Sequence, residues 1–335
     1  MRARSTRRGR LSGVFLLVAA VQILCACSTR EPKVFHVGVL CGLDVFATTV
    51  DGFRAGMSEL GYVEGGNIVY DVHRLDFEPD SEKSILQHFV SSRVDAILAL
   101  PTEIAVEAKE AVRGTSIPVV FCQTYIEGTD LIGSVRKPGG NLTGVRYPGP
   151  DLGLKRFEVM RELVPQARRI WVPYWKDSMI VPGQLELIRP AASKAGLTLV
   201  EAPVAGAADL EKDLESRGMN ADVGIDAILF VSEPLARTRP AFPMIGKFAA
   251  EHKLPICGVH ISMDGYSTLF GVATDNVAVG RLAARQMHRI FQGTPAGSIP
   301  VVSAESYLQI NYAVAQELKL TVPEGLLKEA DEVIH

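Results

Sequence analysis

The chain has 335 residues, of which 47% are hydrophobic and 22% are charged, and its formal net charge is −3 at pH 7. A mildly acidic chain with no basic patch in its body gives no support for nucleic-acid binding, which needs clustered lysines and arginines. About 300 residues remain after the amino-terminal segment, and this length favours two domains, because single cores seldom grow beyond about 250 to 300 residues.

Residues 1–26 have the layout of a cleavable signal peptide. Five arginines between positions 2 and 10 precede an apolar run that is short for a membrane span, which needs about 20 apolar residues. The segment holds no acidic residue, so its removal changes the net charge from −3 to −8. We therefore exclude it from the reasoning about the fold.

The segment ends at Leu24-Cys25-Ala26-Cys27, which resembles the bacterial lipobox. The resemblance implies cleavage before Cys27, lipidation of its thiol and acylation of the new amine, with palmitate among the expected chains, and residues 27–34 as a tether. We expect a lipid-anchored protein on the periplasmic side of the cell envelope, and Ser28 favours the outer membrane if the cell has one. The alternative is a plain secretory signal with a chance cysteine.

From residue 35 onward, short apolar runs alternate with segments of helical periodicity, which is typical of parallel strands covered on both faces. We expect Asp80 and Ser81 to cap the second helix, and Gly61 to close the first. The predicted strands of this half are 35–41, 67–72, 96–100 and 117–122, and the predicted helices lie at 48–60, 80–90 and 104–112.

The same alternation then restarts, so the sequence predicts an α/β protein with two doubly wound, Rossmann-like lobes in series. The elements after the second lobe indicate that the chain crosses between the lobes more than once and forms a hinge. We expect residues 35–147 plus about 274–302 in the N-terminal lobe and 148–273 plus about 303–335 in the C-terminal lobe. The predicted strands are 170–175, 197–200, 227–231, 255–259 and an extended 299–302, and the predicted helices are 155–164, 184–195, 209–217, 243–253, 279–291 and 312–319.

Three cysteines remain in the body of the chain. Cys41, Cys122 and Cys257 each end an apolar strand-like run, and the body holds no C-x-x-C pair. This placement indicates small buried residues with free thiols.

Several strings resemble the substrate-binding lipoproteins of bacterial ABC transporters, a family that includes members binding tryptophan and other aromatic amino acids. The most specific are 137–144 (KPGGNLTG) and 330–334 (ADEVI). The others are 52–56 (GFRAG), 59–65 (ELGYVEG), 67–68, 95–97, 117–121 (IPVVF), 155–158 (KRFE), 300–301 and 310–311. The resemblance implies the type I periplasmic-binding-protein fold, an extracytoplasmic receptor that delivers a small organic ligand to a permease, a monomer and no cofactor.

The chain departs from the family pattern in two places that feed the expected cleft, at 122–127 (CQTYIE) and at 265–271 (GYSTLFG). The identity of the ligand therefore cannot be transferred from any relative. Residues 139–141 predict a glycine-rich turn, and this reading is better than that of a glycosylation sequon.

Ligands of doubly wound sheets sit beyond the carboxyl ends of the strands, so the residues at those positions are the candidates for binding. Aromatic faces could stack on an apolar ligand, and carboxylates could receive an ammonium group, which suits an amino acid or a similar zwitterion. The predicted ligand-binding residues are Asp44, Thr102, Gln123, Tyr125, Tyr174, Trp175, Ser232, Glu233, His260 and Asp275. Leu43, Glu103, Thr124 and Asp177 occupy similar strand-end positions.

Each candidate has a plainer alternative. Strand-end carboxylates such as Asp44 and Glu233 also serve as helix caps, Trp175 suits a packed core, and His260 suits a structural hydrogen bond. The sequence lacks G-x-S-x-G, H-E-x-x-H and Walker A motifs and any metal-ligand spacing, so no enzyme and no metal site is predicted. Two alternatives remain. One is a lipoprotein that senses the ligand and signals to a membrane partner without transport. The other is an enzyme in the same fold, for which the strand-end carboxylates would supply the chemistry and turnover of a bound ligand would have to be shown.

Overall fold

The computed structural model describes residues 33–75, 78–235 and 238–335 as a mixed α/β fold built around two parallel sheets. The predicted signal peptide, Cys27 and nearly all of the predicted tether lie outside the described residues. Within the described residues, no helix combines the length and the apolar character that crossing a bilayer requires.

The first sheet has six parallel strands. These are β1 (Phe35–Cys41), β2 (Ile68–Arg74), β3 (Ala96–Leu100), β4 (Val119–Thr124), β5 (Leu142–Arg146) and β13 (Val302–Ser303), in the spatial order β13–β5–β4–β3–β1–β2. Helices α1 (Ala47–Glu59), α2 (Pro79–Ser91), α3 (Thr102–Ala111) and α8 (Asn276–Phe291) belong to this part of the molecule. Strands β3 and β4 are buried along their whole length, as expected for strands with helices on both faces.

The second sheet has four parallel strands in the order β7–β6–β8–β9. They are β6 (Arg169–Trp175), β7 (Thr198–Val204), β8 (Ala227–Leu229) and β9 (Ile256–Cys257). The intervening helices are α4 (Gly149–Leu163), α5 (Val181–Lys194), α6 (Ala207–Gly218) and α7 (Ala241–His252).

Two smaller sheets complete the second half of the molecule. A hairpin joins β10 (Ser262–Met263) to β11 (Tyr266–Ser267). The other sheet has β12 (Phe270–Ala273) antiparallel to β14 (Tyr307–Asn311), which runs parallel to β15 (Glu332–Ile334). The short helices α9 (Tyr312–Glu317) and α10 (Glu324–Glu329) lie between β14 and β15.

The chain passes three times between the two halves. It leaves the first sheet after β5, returns after β12 into α8, and leaves again after β13 to form β14. The predicted fold class, two doubly wound lobes joined by several crossovers, is confirmed. The Ala304 N–H donates to the carbonyl oxygen of Arg146, so the first and third crossovers are adjacent, and residues of the first and second line the cleft described below.

The helix pair α1 and α8 packs closely because glycines replace side chains at the contact. A Cβ on Gly52 would lie 2.4 Å from the carbonyl oxygen of Val277, and one on Gly280 would lie 2.1 Å from that of Thr49. Ordinary non-bonded contacts cannot be this short, so both positions require glycine. This contact holds the amino end of α8 against the segment that follows β1.

Most of the predicted elements lie within a few residues of the observed bounds. The strands β5, β10, β11, β12, β14 and β15 and the short helix α10 were not predicted. Each of these strands is only two to five residues long, which is short for an alternating pattern to be recognised. The predicted glycine-rich turn is confirmed, with Gly139 and Gly140 at φ of +81° and +55°. The predicted cap by Asp80 and Ser81 is wrong, since α2 begins at Pro79 and both residues lie inside its first turn.

The cysteine prediction is confirmed. Cys41, Cys122 and Cys257 are buried and free. Burial raises the pKa of the Cys41 thiol to about 11 and that of Cys122 well above its ordinary value. Thiols held in this protonated state behave as small apolar residues.

Candidate functional site

A cleft of about 680 Å³ lies between the two parallel sheets. Its walls come from the carboxyl ends of β1, β3 and β4 on one side and of β8 and β9 on the other, which is where ligands bind in doubly wound folds. Side chains of the crossovers and of α4 form its base. The lining residues are Leu43, Asp44, Val45, Phe46, Pro101, Thr102, Glu103, Gln123, Tyr125, Tyr147, Arg156, Ile180, Ser232, Glu233, Pro234, Thr238, Arg239, Val259, His260, Met263, Ala273, Thr274, Asn276 and Gln309.

Seven of the ten sequence-predicted residues line this cleft. They share one property, a position at or shortly after the carboxyl end of a parallel strand. The seven are Asp44, Thr102, Gln123, Tyr125, Ser232, Glu233 and His260.

The other three predicted residues lie outside the lining. The Tyr174 hydroxyl donates to Glu201, with 3.1 Å between the oxygens, and Trp175 packs against the core between β6 and its flanking helices. The Asp275 carboxylate caps α8 by accepting from the backbone N–H groups of Val277 and Ala278. For these residues the structure shows the plainer roles of packing and capping.

Gln123 is the centre of a hydrogen-bond network on the first side of the cleft. Its backbone has φ of +51°, which turns the chain sharply at the end of β4. Its amide nitrogen donates to Asn276 Oδ1 at 2.8 Å, and its amide oxygen accepts from the Thr274 hydroxyl at 3.2 Å. Asn276 in turn donates to the carbonyl oxygen of Val45 at 3.0 Å. The network fixes the crossover before α8 to the segment after β1.

Two buried tyrosines form the apolar floor of the cleft. The ring centroids of Tyr125 and Tyr147 are 5.2 Å apart, and only 6% and 8% of these residues is exposed. Burial raises the pKa of Tyr125 well above its ordinary value, so its hydroxyl stays protonated and donates. A Cβ on Gly149 would overlap the Tyr125 ring, so the tyrosine sits where only glycine leaves room.

Ser232 is held in place by Gln184, a residue for which the sequence predicted no role. The Gln184 amide nitrogen donates to the Ser232 carbonyl oxygen at 2.8 Å, and the Ser232 backbone N–H donates to Gln184 Oε1 at 2.7 Å. Gln184 is fully buried, so this two-point contact fixes the loop after β8. The same carbonyl oxygen of Ser232 accepts from the Tyr125 hydroxyl.

Arg156 is a buried cation at the base of the cleft, and only 1% of its surface is exposed. Its Nε donates to the carbonyl oxygen of Val272 at 2.8 Å, and its Nη2 donates to the Tyr147 hydroxyl at 3.1 Å. The sequence analysis missed this residue. The available signal was its position in the helix, four residues after Leu152 and four before Met160, on the buried face.

Carboxylates lie on both sides and at the mouth of the cleft. Burial raises the pKa of Glu103, which lies in the first turn of α3. Glu233 is buried, and its carboxylate accepts from the backbone N–H of Trp175 at 3.3 Å. Asp44 is exposed at the mouth. The cleft thus offers groups of both charges around an apolar floor.

The described residues hold no cluster of histidine, cysteine and carboxylate side chains that could bind a metal ion. The cleft combines aromatic rings, a guanidinium group and carboxylates, which suits reversible binding of a small molecule. Its volume lies within the usual range of about 300 to 1,000 Å³ for small-molecule sites.

The sequence matches the family described as "ABC transporter substrate binding protein" over residues 36–334. The chain belongs to this family. Its members are solute-binding proteins of ABC transporters and are not enzymes, so this substrate-binding protein is expected to bind its ligand without changing it.

A curated relative of this substrate-binding protein is the "Tyrosine-binding protein" of Clostridioides difficile (strain R20291). It is 26% identical over 282 residues, which cover 84% of this chain and 75% of the relative.

Solved structures show the same fold. An ABC domain from Streptococcus pneumonia in complex with L-Trp has a TM-score of 0.77 and 23% identity, covering 90% of this chain and 100% of that chain. A ligand-free, open structure of a Clostridium difficile substrate-binding protein with adhesive properties has a TM-score of 0.71 and 21% identity, covering 90% and 99%. At these identities the likeness shows the fold alone.

Proposed function

We propose that this substrate-binding protein captures an amino acid, an aromatic one in the first instance, in the cleft and delivers it to an ABC permease for import. The observation that carries the proposal is the pairing of a buried guanidinium, that of Arg156, with half-buried and buried carboxylates in a cleft with an aromatic floor. A zwitterion with an apolar side chain complements all three features. The tyrosine-binding relative and the L-Trp-bound fold neighbour support this ligand class.

The proposed mechanism is closure of the two sides of the cleft about the three crossovers. A ligand that contacts residues of both sides stabilises the closed arrangement, because it binds that arrangement more tightly than the open one. Tyr125 and Ser232 already join the sides at the floor, so closure narrows the mouth near Asp44 and His260. The permease would then recognise the closed protein.

We further propose that the protein acts as a monomer without a cofactor and is anchored to the cell envelope through lipid on Cys27. A tether raises the effective concentration of the receptor near its permease. Replacing Cys27 with alanine should release the protein from the membrane fraction. Retention of the variant in washed membranes would contradict the anchor.

The ligand class is tested by thermal unfolding of the purified protein with L-amino acids, nucleosides, purines and aromatic acids. A ligand that binds only the folded state raises the unfolding midpoint. At a free ligand concentration of a hundred times Kd, the free energy of unfolding increases by about 2.7 kcal/mol. We expect aromatic L-amino acids to raise it most. A shift with nucleosides or purines only would replace the amino acid by another solute. Recovery of a permease by cross-linking separates transport from sensing.

A further inference from the structure

The guanidinium of Arg156 is incompletely paired. Of its three nitrogens, Nε and Nη2 have protein acceptors, namely the carbonyl oxygen of Val272 and the hydroxyl of Tyr147. Among the described residues, Nη1 has no hydrogen-bond partner, although it is shielded from solvent. Buried polar atoms normally have a partner, so an unpaired donor at a ligand site requires an explanation.

The charge of Arg156 is uncompensated as well. Both of its acceptors are neutral, and no carboxylate of the described residues forms an ion pair with it. The carboxylates of Glu127 and Asp151 pair with Arg146 instead. Burying a cation costs several kcal/mol unless an anion and hydrogen bonds offset that cost.

We propose that Nη1 of Arg156 receives the carboxylate of the ligand, and that this anchor requires a free carboxyl group in every ligand bound tightly. The inference rests on the proposed function and deepens it by assigning one residue to one ligand group. A carboxylate would supply both the missing acceptor and the missing negative charge. Guanidinium groups form their strongest hydrogen bonds with such oxyanions.

A carboxylate fits better than a phosphate. The other arginine of the lining, Arg239, is exposed and already pairs with Asp264 at 3.1 Å. Glu103 and Glu233 also line the cleft, and their charges oppose a dianion. A ligand with one carboxylate and one ammonium group complements both the guanidinium of Arg156 and the carboxylates of the cleft.

Tyr147 is the positioning residue for this anchor. Its hydroxyl accepts from Arg156 Nη2 and lies 3.3 Å from the Ser232 hydroxyl, so the guanidinium is oriented by a chain that reaches the loop after β8. Tyr147→Phe should therefore weaken binding of the acid while leaving the charge in place.

The test is calorimetric titration of the wild-type protein with L-tyrosine, its amide and tyramine. The amide and tyramine keep the ring and the amine but lack the carboxylate, so we expect each to bind at least 100-fold more weakly than the acid. Binding of the three compounds within threefold of one another would overturn the role of Arg156 and leave the amino-acid site in place.

A second experiment uses the ligand-free protein. It distinguishes an arginine that binds the ligand from one that stabilises the fold. Arg156→Met removes the uncompensated charge, so we expect the unfolding midpoint of the ligand-free protein to stay within about 3 °C of wild type or to rise. Arg156→Lys should retain the charge and restore part of the affinity for the acid. A fall of more than about 10 °C in the ligand-free Met variant would show that Arg156 serves the fold, and would overturn the inference.

If no amino acid binds the wild type, the ligand class of the proposed function fails. The anchor is then tested with the aromatic acids of the thermal screen. Stabilisation by 4-hydroxyphenylacetate, lost in Arg156→Met, would support it, and no response to any carboxylate would overturn it.

Discussion

The hydroxyl of Tyr125, at the end of β4 in the first sheet, donates to the carbonyl oxygen of Ser232, after β8 in the second sheet, with 3.2 Å between the oxygens. Both residues are buried, so this bond crosses the floor of the cleft away from solvent. It joins the two sides at the floor of the cleft, about which the proposed closure would turn.

Tyr125→Phe should loosen this connection without unfolding the protein. The Ser232 carbonyl keeps its bond from Gln184, so no acceptor is left unpaired and the loss of stability should be about 1 kcal/mol. We expect a larger radius of gyration by small-angle scattering, because the two sides separate more readily.

Tyr62→Phe is the matched control for that variant. Tyr62 is also buried, and its hydroxyl bonds to Nδ1 of His288 at 3.0 Å within the first half of the molecule, outside the lining of the cleft. It should lose a similar amount of stability with an unaltered radius. Equal radii for both variants and wild type would show that Tyr125 does not restrain the two sides.

Gly280→Ala should be strongly destabilising. Its Cβ would lie 2.1 Å from the Thr49 carbonyl oxygen and 2.4 Å from the Phe53 backbone nitrogen, so α1 and α8 would have to separate. Overpacking of this kind costs about 1 to 3 kcal/mol, and the backbone atoms involved cannot move aside. Chemical denaturation measures the loss.

Gly325→Ala provides the contrast. No atom lies within 4 Å of the added Cβ, and the residue is helical, so alanine should leave stability unchanged or raise it by up to about 1 kcal/mol. Similar losses for the two variants would contradict the close helix contact.

Asp226 should make the stability of the second half depend on pH. Partial burial alone would raise its pKa, but hydrogen bonds from the Arg169 side chain and from the backbone N–H groups of Arg168 and Arg169 outweigh burial and lower it. A carboxylate with a lowered pKa stabilises the folded state above the unfolded-state pKa, near 3.9, and loses that contribution as the pH falls through the folded-state pKa.

We therefore expect Asp226→Asn to lose about 2 kcal/mol at pH 7 and to match wild type near pH 2. Denaturation curves at several pH values measure the difference. Glu211→Gln, an exposed position on α6, should show no such effect. A pH-independent difference for Asp226→Asn would contradict a contribution from its charge.

Glu103 should set the lower pH limit of ligand binding. An ammonium group prefers the ionised carboxylate, and burial raises the pKa of Glu103. Affinity for an amino acid should thus be full above this raised pKa and fall up to tenfold per pH unit below it. Calorimetry between pH 4 and 8 measures the midpoint.

Glu103→Gln should weaken binding at pH 7 and remove this pH dependence. Glu110→Gln, on the exposed end of the same helix, should leave both unchanged. If Glu103→Gln binds an amino acid as tightly as wild type, the ammonium group must lie elsewhere.

The alternation of apolar runs and helical segments was enough to predict both parallel sheets and most of the cleft wall. Thr102, Gln123 and Ser232 could be found because their position after a buried strand decides where they lie, whatever their chemistry. Strand β14 could not be found, since its pairing with β12 joins segments more than 30 residues apart.

The tertiary structure also decides which side of the sheet an aromatic side chain at a strand end faces. Trp175 shares a face of β6 with Trp171, which is fully buried among the helices that flank the second sheet, so Trp175 follows it to the core instead of the cleft. The role of Arg156 could not be predicted for a related reason. The helical pattern shows that Arg156 is buried, but its hydrogen-bond partners come from β12 and from the crossover after β5.

The central claim is that the cleft binds an amino acid and closes on it. Calorimetric titration of the purified protein with L-tyrosine and L-tryptophan, followed by small-angle scattering of the same samples, tests it most directly. We predict one site per chain and a smaller radius of gyration at saturation. The absence of binding heat together with an unaltered radius for every L-amino acid would contradict the claim.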